Sequence, residues 1–76
     1  MTREEKLKAE TERVKLVKKW PDRLARLYKK KGMSEAEFCR AHDIPISRFN
    51  RGKNLESIPN EESVARVEAA LKREGV

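Results

Sequence analysis

The stretch GMSEAEFCRAHDIPISRFNRGK, residues 32–53, packs a helix start, a chain reversal and a second helix into 22 positions. Ser34-Glu35-Ala36-Glu37 reads as a capping box, in which a serine hydroxyl and a glutamate three residues on satisfy each other's free amides. The helix it opens is expected over residues 35–42, with Phe38, Cys39 and either Ala41 or His42 turned inward. Asp43-Ile44-Pro45 ends it, because the residue before a proline is pushed out of helical geometry. A second, short helix is then expected over residues 46–51, anchored by Ile46 and Phe49 and stopped by Gly52. Phe38, Ile44 and Phe49 are the expected core of this unit.

Upstream, Thr2-Arg3-Glu4-Glu5 forms another capping box, and Gly32 supplies a stop before the stretch begins. Between them Pro21, tolerated only in a helix's first turn, divides one helix from a fresh one over residues 21–31. Leu7, Val14, Val17 and Trp20 follow a sparse seven-residue pattern, compatible with a short coiled-coil seam or with a helix resting one edge on the domain. Trp20, Leu24, Leu27 and Tyr28 form the expected buried stripe of the second helix. Downstream, Asn60 caps a last helix whose core face carries Val64, Val67, Ala70 and Leu71. Glutamates fall in its first turn and Lys72-Arg73 in its last, as the helix dipole favours.

A 76-residue chain makes one domain at most and buries a thin core, which favours a homodimer. Net charge is +6, concentrated at one end: residues 1–32 hold 12 Lys/Arg against 5 Asp/Glu, and residues 56–76 hold 3 against 5. A basic half without a strong apolar face points to nucleic acid before a membrane surface. Apolar runs are too short for a membrane span or a signal-peptide core, so a soluble, cytoplasmic protein is expected. Cys39 is alone, which rules out an intrachain disulfide, and with His42 it makes only half of a zinc site, so no metal is expected. A single His, a single Cys, and neither a Gly-rich phosphate loop nor a carboxylate pair leave no catalytic constellation, so no enzyme and no cofactor are expected. A ligand sensor needs a pocket, and little chain remains to build one, so no small-molecule ligand is expected either.

The order of capped helix, turn, short basic helix, loop and amphipathic helix is that of a helix-turn-helix. In its Gly-apolar-Ser opening, its apolar-small pair, its turn and its closing Arg-Gly-Lys, the stretch 32–53 resembles the Cro and phage-repressor (XRE-type) family of DNA-binding domains, over residues 20–74. The resemblance implies an all-α, four- to five-helix λ-repressor-like domain over residues 20–76, with residues 1–19 as a basic N-terminal helix or arm. Asp43 stands where that family usually has a turn glycine, and the second helix is about three residues shorter than the family pattern; aspartate accepts left-handed geometry better than most residues.

If Phe49 points inward, residues two positions away lie about 200° round the helix, so Ser47 and Arg51 face outward with Arg48 and Asn50 flanking them. Such an acid-free hydrogen-bonding face suits the major groove, where Arg pairs with guanine and Asn with adenine. Ser47, Arg48, Asn50 and Arg51 are therefore the expected base-reading residues. Lys31, Ser34, Lys53 and Asn54 are the expected phosphate contacts around them. The expected function is a sequence-specific regulator bound to double-stranded DNA as a homodimer, a repressor by operator occupancy in a bacterial or phage setting. The competing expectation is a helical interaction module that oligomerises or docks through its N-terminal helix, with an RNA binder third for want of an aromatic stacking platform.

Overall fold

Thr2 opens the first helix as its sequence requires: the Glu5 amide donates to Thr2 Oγ1 at 3.2 Å and the Thr2 amide donates to the Glu5 carboxylate at 3.3 Å. In the computed structural model, which describes residues 2–76, five helices follow in order: α1 Arg3–Lys18, α2 Trp20–Lys31, α3 Glu35–Ala41, α4 Ile46–Lys53 and α5 Glu61–Arg73. No strand occurs among the described residues, so the fold is all-α. Met1, the first residue of the expected basic segment, lies outside them. No helix among them is long and apolar enough to cross a membrane.

Lys19 alone separates α1 from α2, since Pro21 in the next turn has no amide to continue the ladder. Val17 of α1 is fully buried in the same core as Trp20, while Val14 is half-buried and Leu7 is 56% exposed. The seven-residue pattern thus serves mainly within the chain: α1 rests its C-terminal half against α5 and α4, and its first two turns project into solvent. That projection helps stretch the molecule to 43 Å along one axis against 20 and 19 Å on the others.

The centre of the core is aromatic. Trp20 stacks on Phe49 with ring centroids 5.7 Å apart, and Phe38 meets Phe49 at 6.0 Å in a tilted pair. Phe38, Ile44 and Phe49 are all buried as expected, joined by Leu27, Val64, Val67, Ala70 and Leu71. Trp20 satisfies its indole amine by donating to Glu68 at 2.8 Å, and Arg23 pairs with the same carboxylate. A polar clamp on α5 thereby fixes the start of α2.

Three expectations fail on packing. Tyr28 is 64% exposed instead of buried, because burial in α2 centres on Trp20 and Leu27. Tyr28 sits about 100° beyond Leu27, past the edge that the neighbouring helices cover. Ile46, expected as an anchor, is 43% exposed in the first turn of α4, and Ile44 before the helix takes the buried place. Gly52 does not stop α4, which runs on through Lys53 with Asn54 as its cap.

What ends α4 is a left-handed residue, Leu55 at φ 58°. The Glu56 amide donates to the Arg51 carbonyl at 2.9 Å and the Leu55 amide to the Gly52 carbonyl at 3.0 Å, the paired bonds of a Schellman ending. The same ending closes α3, where Asp43 takes φ 55° and the Ile44 amide reaches the Cys39 carbonyl at 2.8 Å. Asp43 thus adopts the left-handed geometry for which glycine is the usual residue.

Candidate nucleic-acid interface

Two short helices and a four-residue turn place the candidate residues. Ser34 caps α3 by accepting from the Glu37 amide at 3.2 Å, and the left-handed Asp43 turns the chain so that α4 can lay Phe49 on Trp20 and Phe38. With Phe49 fixed inward, the helical repeat sets the rest of α4. Ser47, Arg48 and Arg51 are exposed on its outer side, and Asn50 is half-buried on the flank that carries Lys53. α4 contains no acidic residue. Among the described residues, neither Arg48 nor Arg51 has an ion pair or a side-chain hydrogen bond.

The expected phosphate contacts are placed differently from the expected base readers. Lys53 is held by Glu35 at the start of α3, its ammonium 2.8 Å from both carboxylate oxygens. Lys31 donates to Glu74 at 3.0 Å, and the same carboxylate lies 3.0 Å from the His42 ring. Ser34 is occupied by its own cap and also donates to the Glu37 carboxylate at 3.2 Å. Only Asn54, exposed at the end of α4, has its side chain uncommitted. Lys31 and Lys53 therefore tie helices together in this structure, Ser34 serves the start of its own helix, and α3 begins with two carboxylates, Glu35 and Glu37, beside its cap.

Glu74 joins three elements at one point. The Lys31 ammonium and then the His42 ring hold its carboxyl below the ordinary glutamate value of 4.5. Cys39 is buried on the inner face of α3, and burial, reinforced by the nearby Glu35 charge, pushes its thiol up to about 11. A thiol so placed is an inert core residue at neutral pH. No group of three His, Cys, Asp or Glu capable of holding a metal occurs among the described residues.

One cation was not legible as part of this region. Arg66 of α5 lines the same cavity, of about 420 Å³, as Arg48 and Arg51, next to the aromatic floor. Its nearest carboxylate, Glu62 one turn earlier, is 3.8 Å away. The only local signal was its position beside Val67, which the helical repeat assigns to the core edge. The 57–59 segment, drawn against Gly52, leaves this recess between α4 and α5.

No family model, no curated protein and no solved structure matches the chain.

Proposed function

We propose that the chain is a sequence-specific double-stranded DNA-binding transcription regulator of the λ-repressor-like helix-turn-helix kind, with α3 as the supporting helix and α4 as the recognition helix. The observation that carries this reading is the outer face of α4, where Ser47, Arg48 and Arg51 are exposed, no acid intervenes and both guanidinium groups lack a partner among the described residues. Free guanidinium groups on a helix that stands on an aromatic base are what base-edge recognition in a major groove requires. Asn50, half-buried, reads from the flank. Residues 3–8 of α1, exposed and rich in charge, supply a second contact to the backbone or a dimer arm. The protein acts as a homodimer on a two-fold operator and represses by occupying it, in the bacterial cytoplasm.

Salt-dependent binding to random duplex DNA, followed by selection of the bound sequences, tests this reading. The expected result is a recovered motif with two half-sites, and an affinity that falls steeply as salt rises. Arg48→Ala should relax preference at one position and cost about 1 to 3 kcal/mol of discrimination there. Absence of duplex binding at low salt overturns the proposal.

A second reading, a helical interaction module, rests on Leu7, which is large, apolar and 56% exposed on α1. Under it, Leu7→Asp dissolves a dimer or complex in sedimentation and leaves DNA behaviour unchanged.

A further inference from the structure

Beside the outer face of α4 lies the recess of about 420 Å³ between α4, the 57–59 segment and the first turns of α5. Trp20, Phe49 and Val67 close its floor at 1–3% exposure, so a partner finds no apolar surface there to cover. What remains reachable is the rim, where Arg48 and Arg51 of α4 and Arg66 of α5 stand with Ser57, Asn60 and Ser63, and no carboxylate lines it. Asn60 Oδ1 accepts from the Ser63 amide at 2.8 Å, which leaves the Asn60 amide nitrogen and both serine hydroxyls to donate. The rim is therefore a set of hydrogen-bond donors, three of them charged, suited to an oxyanion. Arg66 is 54% exposed, and its pairing with Glu62, 84% exposed and 3.8 Å away, is a weak surface contact that another anion replaces readily.

An unmatched cation does not by itself mark such a site. Arg13 of α1 also leaves its buried Nε without a partner, but the hollow it lines carries two carboxylates, Glu61 and Glu62, which an anion would meet. Arg26, Lys29 and Lys30 gather at the end of α2, in a hollow that shares no residue with α4. With α4 as a recognition helix, the reading on which this inference rests, the place of Arg66 decides which anion. A helix with its side chains is about 10–12 Å across and the major groove about 12 Å wide, so α4 fills the groove and an element packed beside it lies over the bordering strand. That strand presents phosphates, whose oxygens a guanidinium meets two at a time. We propose that the rim of this recess seats one backbone phosphate of the bound duplex, held by Arg66 with Ser57, Asn60 and Ser63 around it, while Arg48 and Arg51 continue into the groove. The duplex is thereby gripped by α5 as well as by α4.

The test is the salt dependence of duplex binding by the full chain, measured for wild type, Arg66→Gln and Lys72→Gln on selected and on random duplexes. Arg66→Gln should lower affinity by the same factor on both, and flatten the slope of log affinity against log salt by about 0.9 for each copy bound. Lys72 lies on the same helix but in a different hollow, with Arg23 and Glu68, and its loss should leave the slope unchanged. Duplexes with one phosphate at a time replaced by a neutral methylphosphonate locate the contact: one position per half-site should weaken wild type and leave Arg66→Gln no weaker than before. Wild type without duplex binding at low salt removes the DNA reading and this inference with it. Duplex binding whose slope Arg66→Gln leaves unchanged, or that Lys72→Gln flattens equally, overturns the inference alone. A methylphosphonate series in which every position costs wild type the same does so too, and requires no variant to fold. Inorganic phosphate alone, followed by the amide shifts of residues 57–66, separates the other source: saturation at micromolar phosphate marks a seat for the free ion and overturns the proposal.

Discussion

Gly52 lies against Pro59 so closely that a Cβ at position 52 would stand 2.7 Å from Pro59 Cγ. The glycine sits inside α4, buried, where alanine would favour the helix by about 1 kcal/mol. Contact with a stiff pyrrolidine ring reverses the sign, because overpacking costs about 1–3 kcal/mol. Gly52→Ala should therefore lower the urea midpoint, while the double variant Gly52→Ala, Pro59→Ala recovers part of the loss. A Gly52→Ala chain more stable than wild type would show that the 57–59 segment yields freely.

Leu55 makes the opposite case. It holds φ 58° at the end of α4 with its side chain partly exposed, a conformation that costs an L-residue about 1 kcal/mol or more relative to glycine. Leu55→Gly should raise stability by about 1 kcal/mol, seen as a higher midpoint at unchanged denaturant slope. A loss of stability instead would mean that the leucine side chain contributes packing beyond its strain.

Glu35 holds Lys53 with both oxygens at 2.8 Å, which withdraws a cation from the rim of α4. If the lysine is released, the outer surface gains one mobile positive charge and loses one negative. Glu35→Gln should strengthen non-specific duplex binding and steepen the dependence of log affinity on log salt by about 0.9, one phosphate equivalent. The same substitution in a Lys53→Gln background should leave the slope where it was. Equal slopes in wild type and Glu35→Gln would place Lys53 away from the polyanion.

Glu74 sets a pH dependence. Lys31 and His42 lower its carboxyl pKa in the folded chain relative to the ordinary 4.5, so its contribution is fully present above that value and is lost as pH falls through the lower folded one. Urea midpoints measured from pH 7 down to pH 3 should fall below about pH 4.5 in wild type. Glu74→Gln should be less stable at neutral pH and show a shallower acid decline. Parallel curves for the two chains would remove Glu74 from the account.

The capped starts of α1, α3 and α5, the turn at Asp43 and the apolar face of α5 were legible because each depends on residues within four positions of one another. The acid-free composition of α4 was legible for the same reason. Tyr28 and Ile46 were misjudged because a helical repeat says which residues share a face, but only the neighbouring helices say how wide a face they cover. Gly52 was misjudged because a stop and a close approach call for the same residue type, and the difference lies in Pro59, seven positions on.

By itself, then, the sequence determined five helical segments with defined starts and a helix whose outer side carries Ser47, Arg48 and Arg51 without a carboxylate. Tertiary structure decided which cations remain free. Lys53 meets Glu35 across 18 residues and Lys31 meets Glu74 across 43, whereas Arg48 and Arg51 meet no carboxylate among the described residues and share a cavity with Arg66. Charge pairing at those separations depends on how the helices cross, and that is fixed by the stacking of Trp20, Phe49 and Phe38 in the core, which no local pattern of charges encodes.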